Sequence, residues 1–216
     1  QFVGRQHLVD HAHLGGFLSE EHTPTHQHVE RAGRAHQTRQ HPTGAILGDE
    51  TATRERSGEL GTGSGAIAIA VKLACPQAQV VAVDKYESAL AVARGNAHRL
   101  GAQVEFLQGD WFEGWSAPPF DLVLANPPYI DAGDPHLQAL QNEPLHALTP
   151  GPDGMTDLRH LAREARRHLA PGGSLLLEHG NAQGPSVSEA LERAGWADIQ
   201  TRLDLAGWPR CTGARA

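Results

Sequence analysis

Asn126-Pro127-Pro128-Tyr129 follows the apolar run Leu122-Val123-Leu124-Ala125 directly, which sets an amide, two prolines and an aromatic ring at the end of a buried strand. These residue types suit the presentation of a planar amino nitrogen to an electrophile, as in methyl transfer. Such a nitrogen has a delocalised lone pair and is a poor nucleophile, so its hydrogens need acceptors that turn the lone pair outward. The Asn126 side-chain oxygen and the Pro127 carbonyl can each accept one N–H, while Tyr129 covers the planar group. Pro127 holds Asn126 extended, and Pro128 stiffens the turn further. The plain alternative is a proline-rich turn with no chemistry.

Upstream, Glu59-Leu60-Gly61-Thr62-Gly63-Ser64-Gly65 runs into Ala66-Ile67-Ala68-Ile69-Ala70-Val71, so a glycine turn opens an apolar helix. Backbone can approach a ligand closely there. The G-x-G-x-G spacing departs from the dinucleotide fingerprint and alone fits a tight loop equally well. Its neighbours add to it. Val80-Val81-Ala82-Val83 reads as a buried parallel strand ending in Asp84, about 20 residues beyond the glycines, where a carboxylate can accept both hydroxyls of a ribose. Val104-Glu105-Phe106-Leu107 ends in Gly109-Asp110-Trp111, pairing a carboxylate with a ring suited to the amino group and face of an adenine. Each acidic residue by itself fits a solvated strand end. Three strand ends together point to a nucleoside pocket.

In this order, the glycines, Asp84, Asp110-Trp111 and Asn126-Pro127-Pro128-Tyr129 resemble a Rossmann-like, amino-methylating S-adenosylmethionine-dependent methyltransferase. The resemblance narrows with Ile130, Asp134-Pro135-His136-Leu137, Glu143-Pro144-Leu145-His146-Ala147-Leu148, Asp153-Gly154-Met155, Pro171-Gly172-Gly173, Leu177-Glu178-His179-Gly180, Gln183-Gly184 and Asp204-Leu205-Ala206-Gly207. That series is similar to the HemK/PrmC family of protein-glutamine methyltransferases, which modify the GGQ glutamine of peptide chain release factors. It covers residues 59–216. The resemblance implies that Glu59, Gly61, Thr62, Gly63, Gly65, Asp84, Asp110, Trp111 and Asn126 hold S-adenosylmethionine, with Glu59 near its methionine end. It also implies that Asn126, Pro127, Pro128 and Tyr129 hold the substrate glutamine, with Asn126, Pro127 and Tyr129 catalytic.

The sequence departs from that pattern in places. Arg54-Glu55-Arg56-Ser57-Gly58-Glu59 stands where the family has an apolar strand ending in Asp, so a weakened first, central strand is expected. Gln141-Asn142 precede Glu143 where an Arg is expected, and Trp208 and Cys211 are unexpected in the closing segment. Residues 1–58 differ in composition from the remainder. They carry His7, His11, His13, His22, His26, His28, His36 and His41 with little apolar periodicity, and read as a disordered or loosely packed arm. The abrupt junction at Glu59 also fits a stretch translated in a shifted frame. The histidine pairs lack metal-site spacing, so no metal is expected.

The chain has 216 residues, suiting one domain at 59–216 after the arm, and a monomer is expected. Its formal net charge of −7 disfavours general attraction to nucleic-acid phosphates. Cys75 and Cys211 form no paired motif, so free thiols in a reducing cytoplasm are expected, and no apolar stretch is long enough to span a membrane. A DNA or RNA amino-methyltransferase would share the tetrapeptide but needs a basic groove. A ribosomal-protein glutamine methyltransferase would differ only in its docking surface, and a non-catalytic cofactor-binding remnant would follow from the altered first strand.

The elements that must position these residues alternate. A helix is expected over residues 86–100 with Ala89, Val92, Ala93, Ala97 and Leu100 inward, and another over 153–169 with Met155, Leu158, Leu161, Ala162, Ala165 and Leu169 inward. Arg159, Arg163, Arg166 and Arg167 fall on the solvated face of the latter. Pro171-Gly172-Gly173 stops it before a strand over 174–178. A helix over 186–194, with Val187, Ala190, Leu191 and Ala194 inward, leads to strands near 197–203 and 210–213. The fold class expected is α/β: a Rossmann-like class I methyltransferase fold, mostly parallel, with helices on both faces and ligands at the carboxyl ends of the strands. His136, His146 and His179 are assigned packing or loop roles.

Overall fold

The computed structural model describes residues 55–116, 118–133, 148–150 and 153–216. The histidine-rich stretch through residue 54 lies outside the described residues, as do Asp134-Pro135-His136-Leu137 and Glu143-Pro144-Leu145-His146-Ala147. The described strands are β1 (Arg56–Leu60), β2 (Gln79–Asp84), β3 (Glu105–Gln108), β4 (Phe120–Ala125), β5 (Leu169–Glu178), β6 (Ala197–Leu203) and β7 (Pro209–Arg215). The helices are α1 (Ala66–Ala74), α2 (Glu87–Leu100), α3 (Thr156–Glu164) and α4 (Gly184–Arg193), with a 3-10 turn, Ala165–His168, after α3.

One sheet takes the order β3-β2-β1-β4-β5-β7-β6. Pairing is parallel from β3 through β5, and β7 runs antiparallel to both β5 and β6. The strand order reverses between β1 and β4, so the chain leaves their carboxyl ends in opposite directions and opens a crevice there. Side-chain alternation explains the nearly continuous apolar strands. Val81, Val83, Val123, Ala125, Leu175 and Leu177 face Leu158, Leu161, Ala162, Val187 and Leu191 of α3 and α4. Val80, Ala82, Leu124 and Leu176 face Ile67, Ala68 and Val71 of α1 on the other side. The mostly parallel α/β sheet expected from the sequence is therefore present. No helix among the described residues is long and apolar enough to cross a membrane.

Four expectations change. The polar segment expected to weaken the first strand forms β1, a central strand paired on both sides, and Ser57, Gly58, Glu59 and Leu60 are buried. Backbone pairing needs no apolar side chain, and Gly58 admits the Phe120 ring, whose Cε1 would lie 2.8 Å from a Cβ at that position. Among the described residues the first strand starts at Arg56, so β1 runs across residues 58 and 59. On α2, Ala93 and Ala97 are buried as expected, but Val92 and Leu100 are exposed, and Leu90 is buried instead. Ala93 is drawn in by Gly65, whose missing Cβ would sit 3.0 Å from the Ala93 Cβ. The run over 153–169 begins as helix only at Thr156, after the left-handed Gly154, and breaks into the 3-10 turn. β5 starts at Leu169 and carries Pro171-Gly172-Gly173 within it, where the register with β4 shifts. In the closing segment Cys211 is buried on β7 and Trp208 is exposed.

Candidate active site

The glycine loop joins β1 to α1 at the reversal. Gly61, Gly63 and Gly65 all adopt positive φ, which lets the chain turn within five residues and aim its amides inward. A Cβ at Gly63 would meet no atom within 4 Å, whereas one at Gly61 would lie 3.2 Å from the Trp111 ring. The loop therefore has open space above Gly63 and an aromatic wall beside Gly61. Trp111 itself sits at φ 53, a left-handed conformation rare for an aromatic residue, directly after Asp110 at the end of β3. Such strain persists only where the surroundings over-determine it.

Glu59 and Thr62 act from beneath the loop. Glu59 is 3% exposed, and its Oε2 accepts the Thr62 hydroxyl and the Ala68 amide at 2.8 Å. It thus caps the first turn of α1 from the end of β1. Burial pushes the Glu59 carboxyl up to about 7, and the hydrogen bonds from Thr62 and Ala68 only partly oppose this. Asp84 closes the loop from the other side. One carboxylate oxygen accepts the Gly63 amide at 2.8 Å and the other accepts the Tyr86 amide at 2.9 Å, leaving lone pairs on both for hydroxyl donors. Asp110 pairs with Lys85 Nζ at 2.7 Å, and this contact raises the Lys85 ammonium above its ordinary value.

Asn126-Pro127-Pro128-Tyr129 leaves the end of β4, next to Leu60 of β1, because Leu60 and Ala125 are register partners. Asn126 is half-buried and Pro127 buried. Among the described residues neither the Asn126 side chain nor the Pro127 carbonyl makes a hydrogen bond. The backbone around them is nonetheless held: the Ile130 amide donates to Leu148 O at 2.9 Å, and Gln183 Nε2 donates to Tyr129 O at 2.9 Å. Arg210 Nη1 reaches the Tyr129 hydroxyl at 3.5 Å and His179 O at 3.3 Å.

His179 is fully buried, and burial lowers its pKa. The neutral ring must donate from Nδ1 to Gly180 O at 2.9 Å, because a carbonyl only accepts, so Nε2 accepts the Thr212 hydroxyl at 2.8 Å. Both ring nitrogens are thus engaged within the fold. Among the described residues no three His, Cys, Asp or Glu side chains gather as a metal site.

The structure therefore brings Glu59, Gly61, Thr62, Gly63, Asp84 and the Asn126 tetrapeptide to the reversal, with Asp110 and Trp111 on the adjoining strand end. Sequence reasoning missed Lys85, Gln183 and Arg210. Lys85 follows Asp84 directly, and Gln183 lies in a motif to which no role attached. Arg210 carried no signal, since its partners are distant in sequence.

A sequence model of the methyltransferase small domain matches residues 46–151. The release factor glutamine methyltransferase of Bordetella pertussis is 48% identical over 158 residues, covering 72% of this chain and 58% of that protein. The enzyme of the same name from Escherichia coli is 41% identical over 160 residues, covering 73% of this chain and 58% of that protein. The chain thus spans about three fifths of the length of these curated relatives. A methyltransferase from Pyrococcus furiosus superposes with a TM-score of 0.59 at 20% identity, covering 75% of each chain, which shows the shared fold.

Proposed function

We propose, for a chain whose methyltransferase domain belongs to the HemK/PrmC family of release factor glutamine methyltransferases, that it methylates the side-chain amide nitrogen of the GGQ glutamine in a peptide chain release factor. The observation that carries this reading is a pair of acceptors, the Asn126 side chain and the Pro127 carbonyl, that have no hydrogen-bond partner among the described residues and stand at the strand-order reversal. S-adenosylmethionine is the donor this reading requires, supplying a methyl group activated by positive sulfur and a neutral thioether as leaving group.

The residues present fit that molecule. Asp84 retains lone pairs for ribose hydroxyls, the space above Gly63 leaves backbone accessible, and Asp110 with Trp111 offers a carboxylate and a ring at the adjoining strand end. Asn126 Oδ1 and Pro127 O would accept the two amide hydrogens of the glutamine, turning its lone pair toward the methyl group. Tyr129 would cover the amide plane. Positive charge that would grow on the glutamine nitrogen as it takes up the methyl group would be stabilised by both oxygens more than the ground state is. The extra proton leaves to water afterwards, so no strong base is required. A reducing cytoplasm suits the two unpaired thiols, Cys75 and Cys211.

Methyl-labelled S-adenosylmethionine offered with a purified release factor, a ribosomal protein and duplex DNA in parallel tests this. Label should enter the release factor and vanish when its GGQ glutamine is replaced. Label confined to DNA or to the ribosomal protein would overturn the reading.

A further inference from the structure

Three loops that are distant in sequence meet at a single side-chain amide. Gln183 Oε1 accepts the Gly180 amide at 2.8 Å, and Gln183 Nε2 donates to Tyr129 O at 2.9 Å and to Gly154 O at 3.3 Å. Both N–H donors and one acceptor position of the amide are used, each by backbone. The glycines make this convergence possible. A Cβ on Gly154 would lie 2.3 Å from Tyr129 O and 2.8 Å from Gln183 Nε2, and one on Gly180 would lie 3.0 Å from Gln183 Oε1. Gln183 is itself fixed at the start of α4, with its amide donating to Gly180 O and its carbonyl accepting from Val187, each at 2.9 Å. A rigid helix start thereby grips the loop that carries Asn126 and Pro127.

We propose that Gln183 is a positioning residue for the acceptor site, holding the Tyr129 backbone so that the Tyr129 ring and the Asn126 and Pro127 acceptors before it keep one geometry. Gln183 touches neither acceptor; it acts through the Tyr129 carbonyl. Placement errors of about 1 Å in such a platform lower turnover by about a hundredfold. The catalytic part of the proposal rests on the glutamine-methylation reading, whereas the positional part stands without it.

Two variants and two readouts test it on the full chain. Gln183→Ala removes the clamp. Gln183→Glu keeps its shape but sets a carboxylate against the carbonyls of Tyr129 and Gly154. Tyr86 and Tyr129 are the chain's two tyrosines, so 3-fluorotyrosine labelling gives one fluorine signal for each, assigned with Tyr86→Phe. In both variants the Tyr129 signal should shift and broaden while the Tyr86 signal stays. In Gln183→Glu it should return toward the wild-type position as pH falls, measured against wild type at each pH, because the protonated carboxyl again donates to Tyr129 O. In the methylation assay kcat should fall at least about tenfold with the Kd for S-adenosylmethionine within about twofold. An unchanged Tyr129 signal in Gln183→Glu, or unchanged kcat in a protein that does methylate glutamine, would overturn the proposal. If the Tyr129 signal moves but the wild type methylates no glutamine, the clamp stands and the functional reading fails.

Discussion

On the proposed reading Asn126 serves the acceptor amide and Asp84 the cofactor, and substitution of each residue should separate the two roles. The Asn126 side chain has no hydrogen-bond partner among the described residues and is proposed to hold the substrate amide, so Asn126→Ala should abolish methyl transfer and leave the cofactor affinity within about twofold, read by turnover and titration calorimetry. Asp84→Ala should do the reverse, weakening cofactor binding by about 2 to 4 kcal/mol through loss of charge-assisted bonds, together with the Gly63 and Tyr86 amides it now orders. Glu59 gives a pH signature. Its carboxyl lies at about 7 in the fold against an ordinary 4.5, so the unfolded chain loses this proton first as pH rises. This contribution is fully present below pH 4.5 and is lost by pH 7, a fall of about 3 kcal/mol. Urea unfolding of Glu59→Gln at about pH 5 and about pH 8 should lack that component of the wild-type decline.

Among the elements, β1 carries the argument, because a strand with Arg, Ser, Gly and Glu in succession holds the centre of the sheet. Two neighbours and the Asp121 carboxylate, which accepts the Arg56 amide, satisfy its backbone, and two of its side chains find partners: Arg56 Nη1 donates to Gln79 Oε1 at 3.2 Å, and Glu59 caps α1. Gly58 is the constraint. Gly58→Ala would drive a Cβ into the Phe120 ring, itself stacked on Trp115 at 4.7 Å between centroids. The variant should lose about 1 to 3 kcal/mol in urea unfolding, and an unchanged midpoint would show that the ring can step aside.

For the molecule as a whole, the two thiols report on different kinds of opening. Cys75 is exposed after α1, whereas Cys211 is buried on β7 between β5 and β6, opposite Glu178 on one side and Arg202 on the other. Burial pushes the Cys211 thiol up to about 12. A maleimide should therefore modify Cys75 promptly, and Cys211 only at a rate that rises with denaturant as the whole sheet opens. Native-state modification of Cys211 as fast as Cys75 would mean that β7 opens on its own.

Local sequence was enough to read the alternation of strands and helices, the glycine loop and its carboxylate partners, and the tetrapeptide. Each is written locally, in apolar runs, in glycines that must turn, and in an amide beside prolines. The inward faces of α3 and α4 were legible too, since Leu158, Leu161, Val187 and Leu191 keep helical spacing. What required the tertiary structure were relations between distant segments. Pairing on both sides, not side-chain hydrophobicity, made the polar β1 a central strand. The close approach permitted by Gly65 chose which face of α2 packs, exposing Val92 and Leu100. The clamp of Gln183 on Tyr129, and the reach of Arg210 to the same residue, join positions that are 54 and 81 residues apart. No local pattern records such contacts, because hydrogen-bond geometry is set by where the sheet places its loops.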